Sequence, residues 1–322
     1  MKKLIYLFIV IMIVICGGVG YIYHEINKPQ KYAKIIEIKS DVPLKKSLSV
    51  LPISKNLIFK GYLKYRNEGR EIKAGYYELK GNLSMKDLID VLEEGKDKVF
   101  RLTIPEGYSI TEIAELLEKM GKIDKEKFYQ TFKEIEFPYP TPDGNFEGYL
   151  YPETYYIPEN YDERLILRTI LREFLKKFPP ENYPNKEEFY QKLIMASILE
   201  REAKLDEEKP LMASVFYNRI DKGMKLASDA TVNFVYGYKK KRMYYKDLEI
   251  DSPYNTYKYK GLPPAPISNP SVVSIEAAYN PAKTDYLFFV AKGDGGHFFS
   301  KTYREHLEFQ RKNSKEKKQW AK

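Results

Sequence analysis

The chain has 322 residues, with 54 Lys and Arg against 45 Asp and Glu for a net charge of +9, and this length suits two domains or one domain plus small modules. Its single cysteine, Cys16, excludes a disulfide framework. Its three histidines, His24, His297 and His306, lack ligand-type spacing, so a bound metal is not expected.

Leu4–Tyr23 carries no charge. About 20 apolar residues cross a bilayer core as a helix, so residues 4–23 are predicted to be a membrane anchor. A cleaved signal peptide is the alternative, but the run exceeds the ~7–15 residues of a signal core and no small-x-small cleavage site follows. Lys2 and Lys3 precede the run, which predicts a single-pass protein of the cell (inner) membrane with a cytoplasmic N-terminus and the rest outside. A basic exported surface can face anionic headgroups or an acidic wall polymer. No nucleic-acid motif accompanies it, and nucleic acid is not an expected partner.

After the stub and anchor at 1–23, residues 24–95 are expected to form a strand–helix module, opened by a polar connector at His24–Lys34. Strand-like alternation marks IIEIK and Ala74–Gly81. A helix then starts at Ser84, with Asp87 three residues on, an apolar stripe of Met85, Leu88, Ile89 and Leu92, and Gly95 as its stop. The pattern recurs over 96–134: the strand Val99–Ile104, the turn PEGY, Ser109 as cap with Glu112, the stripe Ile110, Ile113, Ala114 and Leu117, and the stop Gly121. IPEGYSITEIAELLEKMG resembles a LysM-type module, which implies binding of N-acetylglucosamine-containing glycans. Ile135–Asn145 reads as a Pro/Gly-rich linker, and 146–322 as a further domain. Its last residues, Lys312–Lys322, are expected to fray.

The third region holds most of the chemistry. FEGYLYPETY, at 146–155, places Glu147 and Glu153 among aromatics, suited either to stacking on sugar rings or to a core strand and turn. Lys192–Lys204 predicts an apolar helix on which Glu200 ends a buried stripe of Phe189, Leu193, Ala196 and Ser197. A carboxyl there is expected to be partly desolvated, which disfavours its charge. Cleavage of a glycosidic bond needs a protonated acid to protonate the leaving oxygen. A structural ion pair at the helix end is the competing reading. A second buried helix, Pro210–Ile220, carries Asn218 near its end. GMKLASDATV brings Asp229, a residue also favoured as a helix N-cap, and Thr231. Ser252–Pro270 is a proline-stiffened loop with Tyr254, Asn255, Thr256 and Tyr257, which would lose little entropy on binding. GDGGHFF reads as a hairpin turn.

These segments together resemble the YceG-like family of endolytic murein transglycosylases. The resemblance is carried by FEGYLYPETY, ASILERE at 196–202, ASVFYNRI at 213–220, MKLASDATV at 224–232, YNTYKYKGLPPAPISNP at 254–270 and NPAKTDYLFFVA at 280–291. One departure is Ala230, where the family commonly has proline. The resemblance implies an α+β exported protein with an N-terminal transmembrane helix, small LysM-like modules and a C-terminal α+β catalytic domain over 146–322. It implies a lytic transglycosylase that needs no cofactor and cuts the bond between N-acetylmuramic acid and N-acetylglucosamine in nascent strands, leaving 1,6-anhydro ends beside peptidoglycan synthases. The essential acid/base is then the first glutamate of the E-[KR]-E pattern, Glu200, with Glu202 as runner-up. Asn218, Asp229, Thr231, Tyr254, Asn255, Thr256, Tyr257 and Glu147 are the expected glycan-binding groups. Two alternatives remain open: a non-catalytic, membrane-anchored glycan-binding scaffold, and a hydrolytic muramidase. The muramidase needs a second carboxylate about 5–9.5 Å from the first, with Glu147, Glu153 and Asp229 as candidates.

Overall fold

The computed structural model describes residues 2–38, 43–66, 72, 75–94 and 99–320. It is a mixed helix and sheet protein in two units, residues 1–101 with 156–160, and residues 102–155 with 161–322.

The first unit starts with helix α1 (Lys2–Asn27). Its segment Tyr6–Asn27 is long and apolar enough to cross a membrane, and of it Ile26 packs against the unit's core. Strand β1 (Gln30–Ile38) follows after only Lys28 and Pro29, so the polar connector expected at His24–Lys34 is instead helix end and strand. The short helix α2 (Leu44–Ser47) and α3 (Leu57–Tyr65) lead to β2 (Gly75–Leu83), which pairs antiparallel with β1. The expected strand start at Ala74 lies outside the described residues, as does the expected stop at Gly95. Helix α4 (Met85–Glu94) starts as its sequence predicts: the Asp87 N–H donates to Ser84 Oγ at 3.1 Å and the Ser84 N–H donates to Asp87 Oδ2 at 2.9 Å. Met85, Leu88, Ile89 and Leu92 are all buried in the unit's core.

Strands β3 (Val99–Thr103) and β4 (Thr154–Pro158) form a two-stranded sheet, and the chain passes between the units within each strand. In the second unit, α5 (Ile110–Lys119) has a complete capping box from Ser109 and Glu112 and buries the predicted stripe, Ile110, Ile113, Ala114 and Leu117. Gly121 follows at φ +67°, a left-handed position that stops the helix at little cost to glycine. Helix α6 is Lys125–Thr131. The Pro/Gly-rich stretch at 135–145 is packed rather than free: Tyr139 is buried, stacks on Phe189 at 4.5 Å and donates to the Phe178 carbonyl at 2.8 Å. FEGYLYPETY joins this aromatic core, with Phe146, Tyr149, Leu150, Tyr151 and Tyr155 all buried.

Around this core lie α7 (Glu163–Lys177), α8 (Lys186–Glu202) and α9 (Lys209–Asp221). The short α10 (Asp229–Val235) and α11 (Val272–Tyr279) follow, and α11 packs along α8. Strands β5 (Phe288–Ala291) and β6 (His297–Ser300) make the predicted antiparallel hairpin. Glu208 braces it, accepting from the His297 N–H at 2.8 Å and contacting His297 Nδ1 at 2.7 Å. Of the residues expected to fray, 312–320 form the end of helix α12 (Tyr303–Trp320), and 321–322 lie outside the described residues. The Glu, Lys, Gln and Arg residues of α12 are good helix formers, and Phe309 stacks on Phe298 of the hairpin at 4.2 Å.

Candidate active site

Helix α8 carries two carboxyl groups two residues apart, which places Glu200 and Glu202 about 200° apart around the helix axis. They face different neighbours. Glu200 points at the start of α11. Its Oε2 accepts from the Ser271 N–H at 2.7 Å and the Ser271 hydroxyl at 2.6 Å, and its Oε1 accepts from Lys209 Nζ at 3.1 Å. Both side chains of the ion pair are almost fully buried, 6% exposed for Glu200 and 2% for Lys209. Burial pulls the Lys209 ammonium down, but its hydrogen bond to Asp206 and the field of Glu200 outweigh this and hold it above its ordinary range. The turn at Pro105–Tyr108 covers the same pocket. Gly107 has φ +77°, and a Cβ there would sit 3.4 Å from Glu200 Cγ, so a larger residue would meet both backbone strain and a tight contact. Burial, and then the charge of Glu200, push the neighbouring Glu106 carboxyl up. Glu200 is thus buried, as its apolar stripe predicts, and it is paired with Lys209.

Glu202 faces the start of α10. It accepts a hydrogen bond from the Ser228 hydroxyl and one from the Ala230 N–H. Burial pushes its carboxyl up; the Ser228 hydrogen bond opposes this and the charge of Asp229 adds to it. Glu202 lines an open cleft of about 530 Å³ with Arg201, Asp229, Asn233, Tyr238 and the run Lys240–Met243. That volume is within the usual range for ligand sites.

The other expected site residues divide into two groups. Asp229 is the first residue of α10, the N-cap being Ser228, and its Oδ1 accepts from the Tyr257 hydroxyl at 2.7 Å. Thr231 and Thr256 are buried beneath them, their hydroxyls 2.8 Å apart, and Thr256 Oγ1 accepts from the Ser228 N–H at 3.1 Å. These four residues assemble around Ser228, and so around Glu202. Asn218, Asn255, Tyr254 and Glu147 do not. The Asn218 amide donates to the carbonyls of Thr284 and Tyr286 at 2.8 and 2.9 Å. Asn255 is fully buried and donates to Leu248 and Ile250. Tyr254 packs on Phe234. The structure gives these three bracing roles because backbone carbonyls and rings within the fold already use their polar and aromatic groups.

Glu147 is likewise a brace. Both of its oxygens accept from the Ile110 N–H at 3.1 Å, and Oε1 also accepts from the Asn269 amide at 3.1 Å, which ties the start of α5 to the proline-rich loop. Burial pushes its carboxyl up to about 8. A carboxyl raised on folding binds its proton more tightly in the native state, so it favours folding at low pH and that contribution is lost as pH rises through the folded value. Denaturant unfolding should therefore show stability falling between pH 5 and pH 8 by on the order of a few kcal/mol through this group. Glu147→Gln, which cannot titrate, should lose that slope; an unchanged slope would rule Glu147 out as its source.

Residues outside the predicted set also shape the cleft. Arg201 pairs with Glu112 and stacks over Tyr238, its guanidinium 3.5 Å from the ring centroid. Tyr238 donates to the Ile267 carbonyl at 2.7 Å. The usable signal for this side of α8 is the pair of acids itself: two positions apart on one helix, they cannot share a pocket.

A family model described as the YceG-like family matches residues 43–312. An endolytic murein transglycosylase of Bacillus subtilis (strain 168) is 35% identical over 325 aligned positions, covering 91% of this chain and 89% of that protein. An endolytic murein transglycosylase of Streptococcus pneumoniae (serotype 2, strain D39) is 31% identical over 79% of this chain, which spans about half, 53%, of that longer relative. A crystal structure of a yceG-like protein from Listeria monocytogenes, 33% identical, superposes with a TM-score of 0.59 over 85% of this chain and 98% of that one. With a family model over most of its length and a relative matched nearly end to end, the chain belongs to the YceG-like family.

Proposed function

We propose that this protein is a lytic transglycosylase acting on peptidoglycan, with Glu202 as its acid/base. The observation that carries the reading is a carboxyl, raised by burial, that lines a cleft in a chain whose relatives are endolytic murein transglycosylases. Glu202 is preferred to Glu200 because it lines the cleft, whereas the Glu200 carboxylate is held in an ion pair with Lys209 and by Ser271. In the first step, protonated Glu202 gives its proton to the oxygen between N-acetylmuramic acid and N-acetylglucosamine, and the C1–O bond breaks. The substrate's acetamido group supports the resulting oxocarbenium-like centre. Glu202, now a carboxylate, takes the proton from the C6 hydroxyl as that oxygen bonds to C1, which closes a 1,6-anhydro ring and restores the acid. Ser228 and the Ala230 N–H orient the carboxyl throughout.

In the same reading, α1 anchors the chain in the cell membrane with the N-terminus inside, the strand–helix modules bind or space the glycan in LysM fashion, and cleavage falls within nascent strands beside the synthases. Asp229 beside Glu202 favours one second reading, a hydrolytic muramidase in which a second carboxylate serves the reaction. Mass spectrometry of the products separates the two. The full chain incubated with peptidoglycan strands should yield 1,6-anhydro-muramoyl ends; reducing ends carrying oxygen from labelled water would mean hydrolysis, and no new ends would leave the scaffold.

A further inference from the structure

The cleft carries more positive charge than an uncharged sugar chain needs. Arg201, Lys240, Lys241 and Arg242 line it against Glu202 and Asp229. Arg201 is committed to Glu112, and Lys240 to Asp247 at 2.9 Å. Lys241 and Arg242 are exposed, and among the described residues neither has a carboxylate partner; the Arg242 guanidinium lies 5.6 Å from the Tyr244 ring centroid. The backbone just before them is held at Lys240. The Asn233 amide donates to the Lys240 carbonyl at 2.9 Å, and the Lys240 N–H donates to Asn233 Oδ1 at 3.3 Å. The two cations thus follow a braced residue at the rim of the cleft.

We infer that Lys241 and Arg242 form a subsite for carboxylates on the peptide branches of the glycan, so that the cleft selects strands carrying peptides over naked strands. This rests on the proposed function in taking peptidoglycan as the occupant. A muramic acid seated beside Glu202 carries its peptide on a lactyl ether, and that branch must leave the cleft through its mouth. A carboxylate there meets an arginine fork, which can bind it through two parallel hydrogen bonds, and an ammonium that adds a mobile point charge. The attraction operates at a solvent-exposed rim, so salt weakens it.

The test uses the full chain in an uncharged detergent, carrying Glu202→Gln so that strands stay intact. Binding is measured for labelled strands with peptides and for the same strands stripped by an amidase. Peptide-bearing strands should bind about tenfold more tightly, equivalent to ~1.4 kcal/mol, and the preference should shrink with salt. Lys241→Ala with Arg242→Ala should bring the ratio to within about twofold of unity, whereas Lys241→Arg with Arg242→Lys should keep most of it. Equal binding of both strands without substitutions at the rim, or a preference that survives the alanine pair, overturns the inference. So does a result in which the alanine pair loses binding only to anionic lipid nanodiscs, which would assign the rim to headgroups. Cleavage by wild type is assayed in parallel. If wild type cuts neither strand, the proposed function fails while the binding ratio still decides the subsite.

Discussion

Glu202→Gln is expected to lower the rate of glycan cleavage by about 10²–10⁴-fold, the usual worth of a positioned acid/base, with the fold intact. Gln keeps the length and polarity of the side chain, so it can still accept from Ser228 and Ala230, but it has no proton to give. The pH profile carries a second signature. Cleavage needs Glu202 protonated, and burial followed by the charge of Asp229 keeps its carboxyl above the ordinary range. The rate should therefore fall on the alkaline side as Glu202 ionises. Asp229→Asn removes the like charge and should move that alkaline limb to lower pH. An unmoved limb in a folded Asp229→Asn protein would show that another group titrates there.

Lys209→Met should cost about 3–5 kcal/mol of stability, because it leaves the buried Glu200 carboxyl without its cation. The Glu200–Lys209 pair lies between α8 and the start of α9, with Ser271 of the α11 cap closing the third side. Glu200→Gln should cost less, since Lys209 keeps Asp206 at 2.8 Å. Combining the two substitutions should recover much of the loss, giving a coupling energy in a double-mutant cycle. Denaturant midpoints by circular dichroism measure it. Strictly additive losses would mean that the pair is not coupled.

Much of the local structure was legible from the chain alone. The apolar N-terminal helix, the two Ser-x-x-acid helix starts at Ser84 and Ser109, and the β5–β6 hairpin follow from patterns a few residues long, and short-range physics decides them. The site was harder to read because its decisive contacts are distant in sequence. Periodicity places Glu200 on a buried stripe but does not reveal Ser271, 71 positions away, or Lys209, nine away, as its partners. The same limit applies to the aromatics of FEGYLYPETY, which suit sugar stacking in composition and instead fill the core. Asn218 carries the side chain of a binding site, yet the carbonyls that occupy it come from Thr284 and Tyr286, 66 and 68 positions away. Asp229, Thr231, Thr256 and Tyr257 gather around Ser228 and Glu202 rather than around Glu200.

The most direct test of the central claim compares Glu202→Gln and Glu200→Gln in one assay, with the full chain, peptidoglycan strands and mass spectrometry of strand ends, each variant checked for folding by circular dichroism. The account predicts that Glu202→Gln is folded and makes almost no anhydro-muramoyl ends, while folded Glu200→Gln still makes them. Loss of product in folded Glu200→Gln, with activity kept in Glu202→Gln, would contradict it and return the acid to the ion-paired face of α8.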